Sequence, residues 1–235
     1  MVKFLLLLFS KITFTINFLF GSFVNEKKIL KEILDSTEIV YFDVGTNYGI
    51  EINLLKNIFR GKKILVHAFE PNKNLKTTLQ RKYPNIILNT VAVSNFNGVT
   101  DFYEEKITSQ SSINSDISSP LTNIQEVYKT EVITLDEYIS VNNIKRIDYL
   151  KIDVEGSDYK VLEGLQKSML RIPIKLIKIE VMFLDQADYE DNFKNILNFL
   201  DSHNFKIYAF PNIKHLNNKI YLLDVFFINK SLAKI

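Results

Sequence analysis

The sequence predicts an α/β protein in which a mostly parallel β-sheet carries helices on both of its faces. Three observations support this fold class. From residue 25 onward, short apolar segments alternate with amphipathic segments of helical period, which is typical of strand–helix–strand units with right-handed crossovers. Several apolar segments end in an acidic residue, at the strand ends where open α/β sheets bind their ligands. The last two apolar segments are joined by a short polar stretch, which favours an antiparallel hairpin.

The amino-terminal half shows one amphipathic helix followed by a β-α-β-α-β order. In residues 25–36, the apolar side chains of Ile29, Leu30, Ile33 and Leu34 recur at helical spacing on one face, with charged residues around the rest. The segments that follow are short and apolar where strands are expected and amphipathic where helices are expected. Strands are predicted at 38–44, 63–69 and 85–93, and helices at 50–59 and 73–82.

The second half continues the alternation after a turn signal at Asn97 and Gly98. Residues 108–123 form a serine-rich polar stretch, which is expected to be a linker or a loop over a pocket. Thr134 and Glu137 have the spacing of a capping box, which marks the start of a helix. Strands are predicted at 99–103, 147–154, 175–181, 205–210 and 220–228, and helices at 134–138, 158–168 and 188–203.

Composition indicates a globular protein and excludes several kinds of site. The 235 residues are 46% hydrophobic and 24% charged, which is enough for one domain with a buried core. The absence of cysteine excludes disulfides, thiolate zinc sites and a cysteine nucleophile. His67, His203 and His215 stand in no motif and are expected at the surface or in packing roles. The net charge of +2 is too small to indicate a nucleic-acid partner, and none is expected.

Residues 4–24 are mainly apolar and contain a single charge, Lys11. Their length allows a membrane span, but residues 12–18 alternate with the period of a strand. Two interpretations stay open, namely association with a membrane and coverage of one edge of the following domain. No small-x-small site follows the segment, so no cleaved signal peptide is expected. We therefore divide the chain into residues 1–37, an apolar segment plus an amphipathic helix, and a domain over 38–235.

The junction after the first strand carries residues suited to close approach of a ligand. Gly45 and Gly49 stand where a Cβ atom would block that approach. The third glycine of a dinucleotide-binding fingerprint is missing, and Asp43 would repel a pyrophosphate, which favours a ligand with a cationic head. Glu70 follows Gly49 by about twenty residues, at the end of the second strand, where an acid accepts the ribose hydroxyls of an adenosine-type cofactor.

The residues around the strand ends fall into ordered blocks: FDVGTNYG, HAFEPN, NTVAVSNFNG, ITLDEY, LKIDVEGSDYKVLEGL and IKIEV. With these blocks, over about residues 40–180, the chain resembles the FkbM family of S-adenosylmethionine-dependent methyltransferases. The glycine loop alone is weak evidence, whereas the block at 150–165, in order after the others, makes the resemblance specific. It implies the Rossmann-like class I methyltransferase fold, with a seven-stranded sheet, a final antiparallel strand and methyl transfer to an oxygen, and it makes 38–235 a methyltransferase domain.

The resemblance also implies roles for residues on the cofactor side. Glu70 would bind the ribose of S-adenosylmethionine. Ala92 and Val93, at the end of the third predicted strand, would lie beside the adenine. The loop around the methionyl part of the cofactor would consist of Asp43, Gly45, Asn47 and Gly49.

On the acceptor side, the resemblance places Asp153 near the sulfonium and the acceptor. Three roles stay open for Asp153: holding the acceptor hydroxyl, accepting its proton, or binding a divalent cation with Glu155 or Glu180. We assign Asp153 and Glu155 as candidate catalytic residues and assign no metal ligand. Glu155 is equally well explained as an acid that complements the dipole of the following helix. Lys151 is expected to be solvated or to line the cleft.

These inferences predict an S-adenosylmethionine-dependent O-methyltransferase that acts on a hydroxyl of a sugar, glycan or secondary metabolite. The acceptor would enter past the polar stretch at 108–123. Two alternatives stay open: an NAD(P)-dependent oxidoreductase on a Rossmann fold, and a catalytically inactive membrane-associated binding module. We expect a cytoplasmic location, at the membrane surface if residues 4–24 associate with lipid.

Overall fold

The computed structural model of the protein describes residues 25–105, 111–113, 124–183 and 187–232. Its helices are α1 (Glu26–Ile33), α2 (Ile50–Ile58), α3 (Lys76–Lys82), α4 (Leu135–Val141), α5 (Asp158–Glu163), α6 (Gln166–Met169) and α7 (Ala187–Ser202). Its strands are β1 (Glu38–Val44), β2 (Lys63–Phe69), β3 (Ile87–Asn89), β4 (Ala92–Val93), β5 (Gly98–Glu105), β6 (Ile124–Ile133), β7 (Ile147–Ile152), β8 (Ile174–Met182), β9 (Phe205–Leu216) and β10 (Lys219–Asn229).

The main sheet has seven strands in the order β3-β2-β1-β7-β8-β10-β9. Strands β3, β2, β1, β7 and β8 are parallel to one another, and β10 runs antiparallel to both of its neighbours, β8 and β9. The predicted fold class, a mostly parallel seven-stranded sheet with a final antiparallel strand, is therefore confirmed. The parallel strands bring their carboxyl ends, and the acids that follow them, to one edge of the sheet.

Two predicted elements are divided in the structure. The strand predicted at 85–93 consists of β3, which pairs with β2, and β4, which pairs with β6 in a second sheet of order β4-β6-β5. The helix predicted at 158–168 is broken into α5 and α6 at Gly164, where a Cβ atom would lie 2.2 Å from the carbonyl oxygen of Ser94. The carboxylate of Asp136 accepts hydrogen bonds from the backbone amides of Lys167 and Ser168, and so caps the start of α6.

Two hydrophobic cores lie on opposite faces of the main sheet. One contains Phe42 and Leu150 from the strands and packs against α4, α5 and α7. The other contains Tyr41 and Tyr149, whose rings stack at 5.0 Å, and packs against α1, α2 and α3. Helices therefore cover both faces, as the sequence predicts, and α1 contributes its apolar residues to the second core.

Some predictions fall outside the described residues. Residues 4–24 do so entirely, and no helix in the described part of the chain combines the length and apolarity needed to cross a membrane. Of the polar stretch at 108–123, residues 111–113 are described, and Ser112 forms an isolated antiparallel bridge with Tyr103 of β5.

Candidate active site

A cavity of about 1180 Å³ opens at the carboxyl ends of β1, β2, β7 and β8. The main sheet, β4 and the β9–β10 hairpin all contribute to its walls. Asp43 is fully buried near the end of β1 and Gly49 is the N-cap residue of α2, and neither lines the cavity. Seven of the nine predicted site residues line the cavity: Gly45, Asn47, Glu70, Ala92, Val93, Asp153 and Glu155.

The loop between β1 and α2 contains three residues with left-handed backbone conformation. The φ angles of Gly45, Asn47 and Gly49 are 78°, 48° and 69°. A Cβ atom on Gly45 would lie 1.8 Å from the carbonyl oxygen of Asp153, and one on Gly49 would lie 2.4 Å from the ring of Tyr83. The sequence suggests that these positions are glycine so that a ligand can approach. The structure gives a second reason, because a side chain at either position would collide with other residues of the protein.

Glu70 is a buried carboxylate at the end of β2 that faces the cavity. One of its oxygens accepts a hydrogen bond from the backbone amide of Asn47 at 2.7 Å, and the other accepts from the amide of Asn72 at 2.9 Å. Burial raises the pKa of Glu70 to about 7, although both backbone hydrogen bonds act in the opposite direction. Each oxygen keeps further acceptor capacity, so the two together can receive a pair of hydroxyl groups.

Asp43 and Lys151 form a buried ion pair beneath the glycine loop. The two residues are register partners on β1 and β7, and the Nζ atom of Lys151 lies 3.6 Å from Oδ1 of Asp43. Neither oxygen of Asp43 has a hydrogen-bond partner among the described residues. Burial raises the pKa of Asp43 to about 6, against the opposite effect of the Lys151 charge.

Lys151 also connects the glycine loop to the predicted catalytic residue. Its Nζ atom donates to the carbonyl oxygen of Gly45 at 2.8 Å and lies 3.0 Å from a carboxylate oxygen of Asp153. Burial alone would lower the pKa of Lys151, but the Asp153 and Asp43 carboxylates more than reverse this and raise it above its ordinary value. The sequence predicts that Lys151 is either solvated or lines the cleft. In the structure it lines the cleft and is buried.

Asp153, Glu155 and Glu180 meet at the acceptor side of the cavity, with one carboxylate oxygen from each within 4.8 Å of the others. Burial raises the pKa of Glu155 and of Glu180, and the charge of Asp153 adds to both shifts. Glu155 precedes α5 with a φ angle of 54°, and it is Asp158, within α5, that accepts a hydrogen bond from the amide of Val154. The cluster offers oxygen ligands of the kind that hard divalent cations take.

Asn72 and Lys178 are not identified from the sequence, which leaves Lys151 either solvated or lining the cleft. Lys151 and Lys178 are lysines flanked on both sides by apolar residues within predicted strands, and this pattern is the signal that could have identified them. Asn72 stands in the block HAFEPN, where its amide nitrogen Nδ2 is buried without a hydrogen-bond partner in the described structure. His67 takes the packing role expected of the histidines, with its Nδ1 atom 2.8 Å from the hydroxyl of Tyr138.

The family profile described as the methyltransferase FkbM domain matches residues 43–207. The chain belongs to this family. The match includes the glycine loop, Glu70 and the three acids of the acceptor side, and it ends within β9. Membership in the FkbM methyltransferase family favours methyl transfer over the oxidoreductase alternative.

Solved methyltransferase structures are similar to this FkbM domain. An FkbM methyltransferase from Methylobacillus flagellatus aligns over 81% of this chain with a TM-score of 0.55 and 16% identity, which supports the shared fold. The aligned region covers 44% of that protein, so this chain spans less than half of its length.

Two further similar structures have lower scores. Fibrillarin from Aeropyrum pernix, with natively bound S-adenosylmethionine, has a TM-score of 0.46 and 8% identity over 81% of this chain and 66% of its own. Magnesium protoporphyrin IX methyltransferase from Synechocystis, with bound S-adenosylmethionine, has a TM-score of 0.44 and 9% sequence identity. The alignment covers 88% of this chain and 81% of that protein. No curated protein sequence matches the chain significantly.

Proposed function

We propose that the protein is an S-adenosylmethionine-dependent O-methyltransferase whose acceptor is a hydroxyl of a sugar, glycan or secondary metabolite. The observation that carries this proposal is the presence of Glu70 and Asp153 in one cavity at the carboxyl edge of the sheet of an FkbM domain. Glu70 offers two oxygens to a ribose, and Asp153 offers a carboxylate to the group that reacts.

The residues present fit this cofactor. The carboxylate of Glu70 is held from behind by two backbone amides and faces the cavity, which suits a ribose diol. The side-chain oxygen of Asn47, which lines the cavity, is buried without a partner in the described structure and would accept a hydrogen bond from a bound donor. Ala92 and Val93 supply an apolar wall of the kind that an adenine ring packs against.

When bound, S-adenosylmethionine supplies a methyl group activated by a cationic sulfur. The chain's own contribution is to position the donor and the acceptor in one cavity. Asp153, whose carboxylate pairs with Lys151, would accept the proton of an acceptor hydroxyl. Such a base accelerates a reaction by roughly 10²–10⁴-fold.

The size and lining of the cavity favour a polar acceptor beside the cofactor. Its volume of about 1180 Å³ exceeds the roughly 300–1,000 Å³ usual for a site that holds one small ligand. Asn212, Lys214 and Tyr221 of the β9–β10 hairpin line its other side with groups that form hydrogen bonds. A molecule with several hydroxyl groups would satisfy these residues.

Cofactor binding is tested by calorimetric titration with S-adenosylmethionine and, in parallel, with NADH. We expect the wild-type chain to bind S-adenosylmethionine and Glu70→Ala to weaken this binding at least tenfold. Glu104→Ala is the matched control, because Glu104 is also a buried glutamate that accepts two hydrogen bonds, from Asn74, but does not line the cavity. Binding of NADH in place of S-adenosylmethionine would contradict the proposal.

Methyl transfer is tested by a radiolabelled screen against cell-envelope glycans and small hydroxylated metabolites. Once the screen has identified an acceptor, Asp153→Asn is expected to lower turnover roughly 10²–10⁴-fold and to change cofactor affinity far less. The reverse pattern would make Asp153 a binding residue. Cofactor binding without transfer to any acceptor class in the screen would favour the inactive binding module.

A further inference from the structure

A second buried lysine, Lys178 of β8, lies at the centre of an ion-pair cluster beside the cavity. Its Nζ atom lies 2.7 Å from Oε1 of Glu26, 3.3 Å from Oε2 of Glu51 and 3.9 Å from Oδ2 of Asp224. The second oxygen of Glu51 accepts a hydrogen bond from the hydroxyl of Tyr149 at 2.8 Å. The three carboxylates come from α1, α2 and β10, so one ammonium group connects three elements to β8.

This cluster adjoins the proposed cofactor site. Lys178, Glu51 and Asp224 line the cavity, and Glu51 stands in the first turn of α2, directly after the glycine loop. Lys178 is the register partner of Lys151, so the two lysines occupy adjacent strands at the same level of the sheet. Lys178 therefore holds the start of α2 through the carboxylate of Glu51. Lys151 holds the preceding loop through the carbonyl oxygen of Gly45.

Two members of the cluster lie outside the region that matches the FkbM family. That region covers residues 43–207, whereas Glu26 precedes it and Asp224 follows it. Helix α1 thus reaches the cavity wall through a side chain, in addition to packing its apolar face into the core.

The energetics of buried charge make this arrangement sensitive to any one member. Three carboxylates at a low-dielectric site repel one another, and Lys178 is the cation that they share. Removing the cation leaves the buried Glu51 and the partly buried Glu26 and Asp224 without a cation, and this is costly unless the elements that carry them move apart. Movement of Glu51 displaces the first turn of α2 and hence the glycine loop that precedes it.

We propose that Lys178 is a positioning residue that fixes the start of α2 through Glu51 and connects it to helix α1 through Glu26, so that α1 is part of the machinery that binds the cofactor. This inference rests on the proposed function, because the bound molecule is taken to be S-adenosylmethionine or its product S-adenosylhomocysteine.

The test is calorimetric titration of the full chain with S-adenosylhomocysteine, well below the melting temperature of each variant. Lys178→Met is expected to weaken binding at least tenfold, and Lys178→Arg, which restores the charge, to recover affinity to within about threefold of wild type. Lys175→Met is the matched control, because Lys175 pairs with Asp35 at 2.7 Å and also joins β8 to the α1 region, but does not line the cavity. We expect it to change affinity less than twofold.

A second pair of variants covers the case in which Lys178→Met fails to fold. Glu26→Gln is expected to weaken binding at least threefold, whereas Asp35→Asn leaves it unchanged. If Lys178→Met binds as tightly as Lys175→Met, or Glu26→Gln as tightly as Asp35→Asn, the inference is overturned. Binding by the wild-type chain in the same experiment would still support the proposed function. Absence of binding by the wild-type chain would overturn the proposed function and the inference with it.

Discussion

The ammonium nitrogen of Lys151 lies 3.0 Å from a carboxylate oxygen of Asp153, two residues further along the chain. The same nitrogen donates to the carbonyl oxygen of Gly45, so a single side chain fixes the glycine loop relative to the predicted base. In the proposed reaction the loop holds the methyl donor and Asp153 faces the acceptor. Their separation is therefore determined by Lys151, and in-line methyl transfer depends on such positioning.

Replacement of Lys151 by methionine is expected to lower the free energy of unfolding by about 3 kcal/mol, because it leaves the fully buried Asp43 without a cation. The double variant Asp43→Asn/Lys151→Met should regain more than half of this loss and still bind S-adenosylmethionine poorly. Urea denaturation and calorimetry measure the two effects. As a control, Lys129→Met breaks an exposed pair with Asp101 and should cost less than about 1 kcal/mol. A similar loss for both lysines would contradict the assigned role of Lys151.

Gly45 and Gly61 form a matched pair of left-handed glycines, with φ angles of 78° and 88°. A Cβ atom on Gly45 would lie 1.8 Å from a backbone oxygen of Asp153, whereas one on Gly61 would meet no atom within 4 Å. We expect Gly61→Ala to cost about 1–2 kcal/mol from backbone conformation alone. Gly45→Ala should cost at least about 4 kcal/mol or prevent folding, because the added Cβ atom would collide with the backbone of Asp153. A cost of this size exceeds the usual range for single substitutions. Thermal unfolding that gives equal costs at the two sites would show that the contact with Asp153 is unimportant.

His67 is buried beside Phe42 and Tyr138, and burial lowers its pKa to about 4. Between about pH 6.5 and pH 4 the unfolded chain takes up a proton at this residue while the folded chain does not, so the fold loses stability as the pH falls. The loss attributable to His67 is about 3 kcal/mol across that window. His67→Gln removes this contribution, and the difference between wild type and variant in denaturation at pH 7 and pH 4 measures it. A difference that does not change with pH would contradict the prediction.

Glu180 has the opposite effect on stability. Burial and the charge of Asp153 raise its pKa, so the folded chain keeps a proton that the unfolded chain releases. Its contribution therefore destabilises the fold as the pH rises from about 4.5 towards 8. We expect Glu180→Gln to raise the melting temperature at pH 8 more than at pH 5. Glu131→Gln, at an exposed glutamate, is the control, and equal behaviour of the two variants would refute the assignment.

The fold was largely predictable because each element carries its own pattern. Alternating strand and helix periods gave the parallel sheet and the closing hairpin, and the ordered blocks predicted the FkbM family to which the chain belongs. The division of the segment at 85–93 between two sheets was not predictable, because local β propensity does not specify which partner a strand pairs with. The close approach of Ser94 to Gly164, at the break between α5 and α6, likewise joins residues that are distant in sequence.

By itself, the sequence placed Asp43, Glu70 and Asp153 at one edge of a sheet, because parallel strands align their carboxyl ends. The tertiary structure decided which groups these acids meet. It buries Lys151 among Asp43, Asp153 and the Gly45 carbonyl, and it brings Glu26 of α1 to Lys178, 152 residues along the chain. Such contacts depend on register between strands and on how a helix packs across them, and neither is specified by a local pattern of residues.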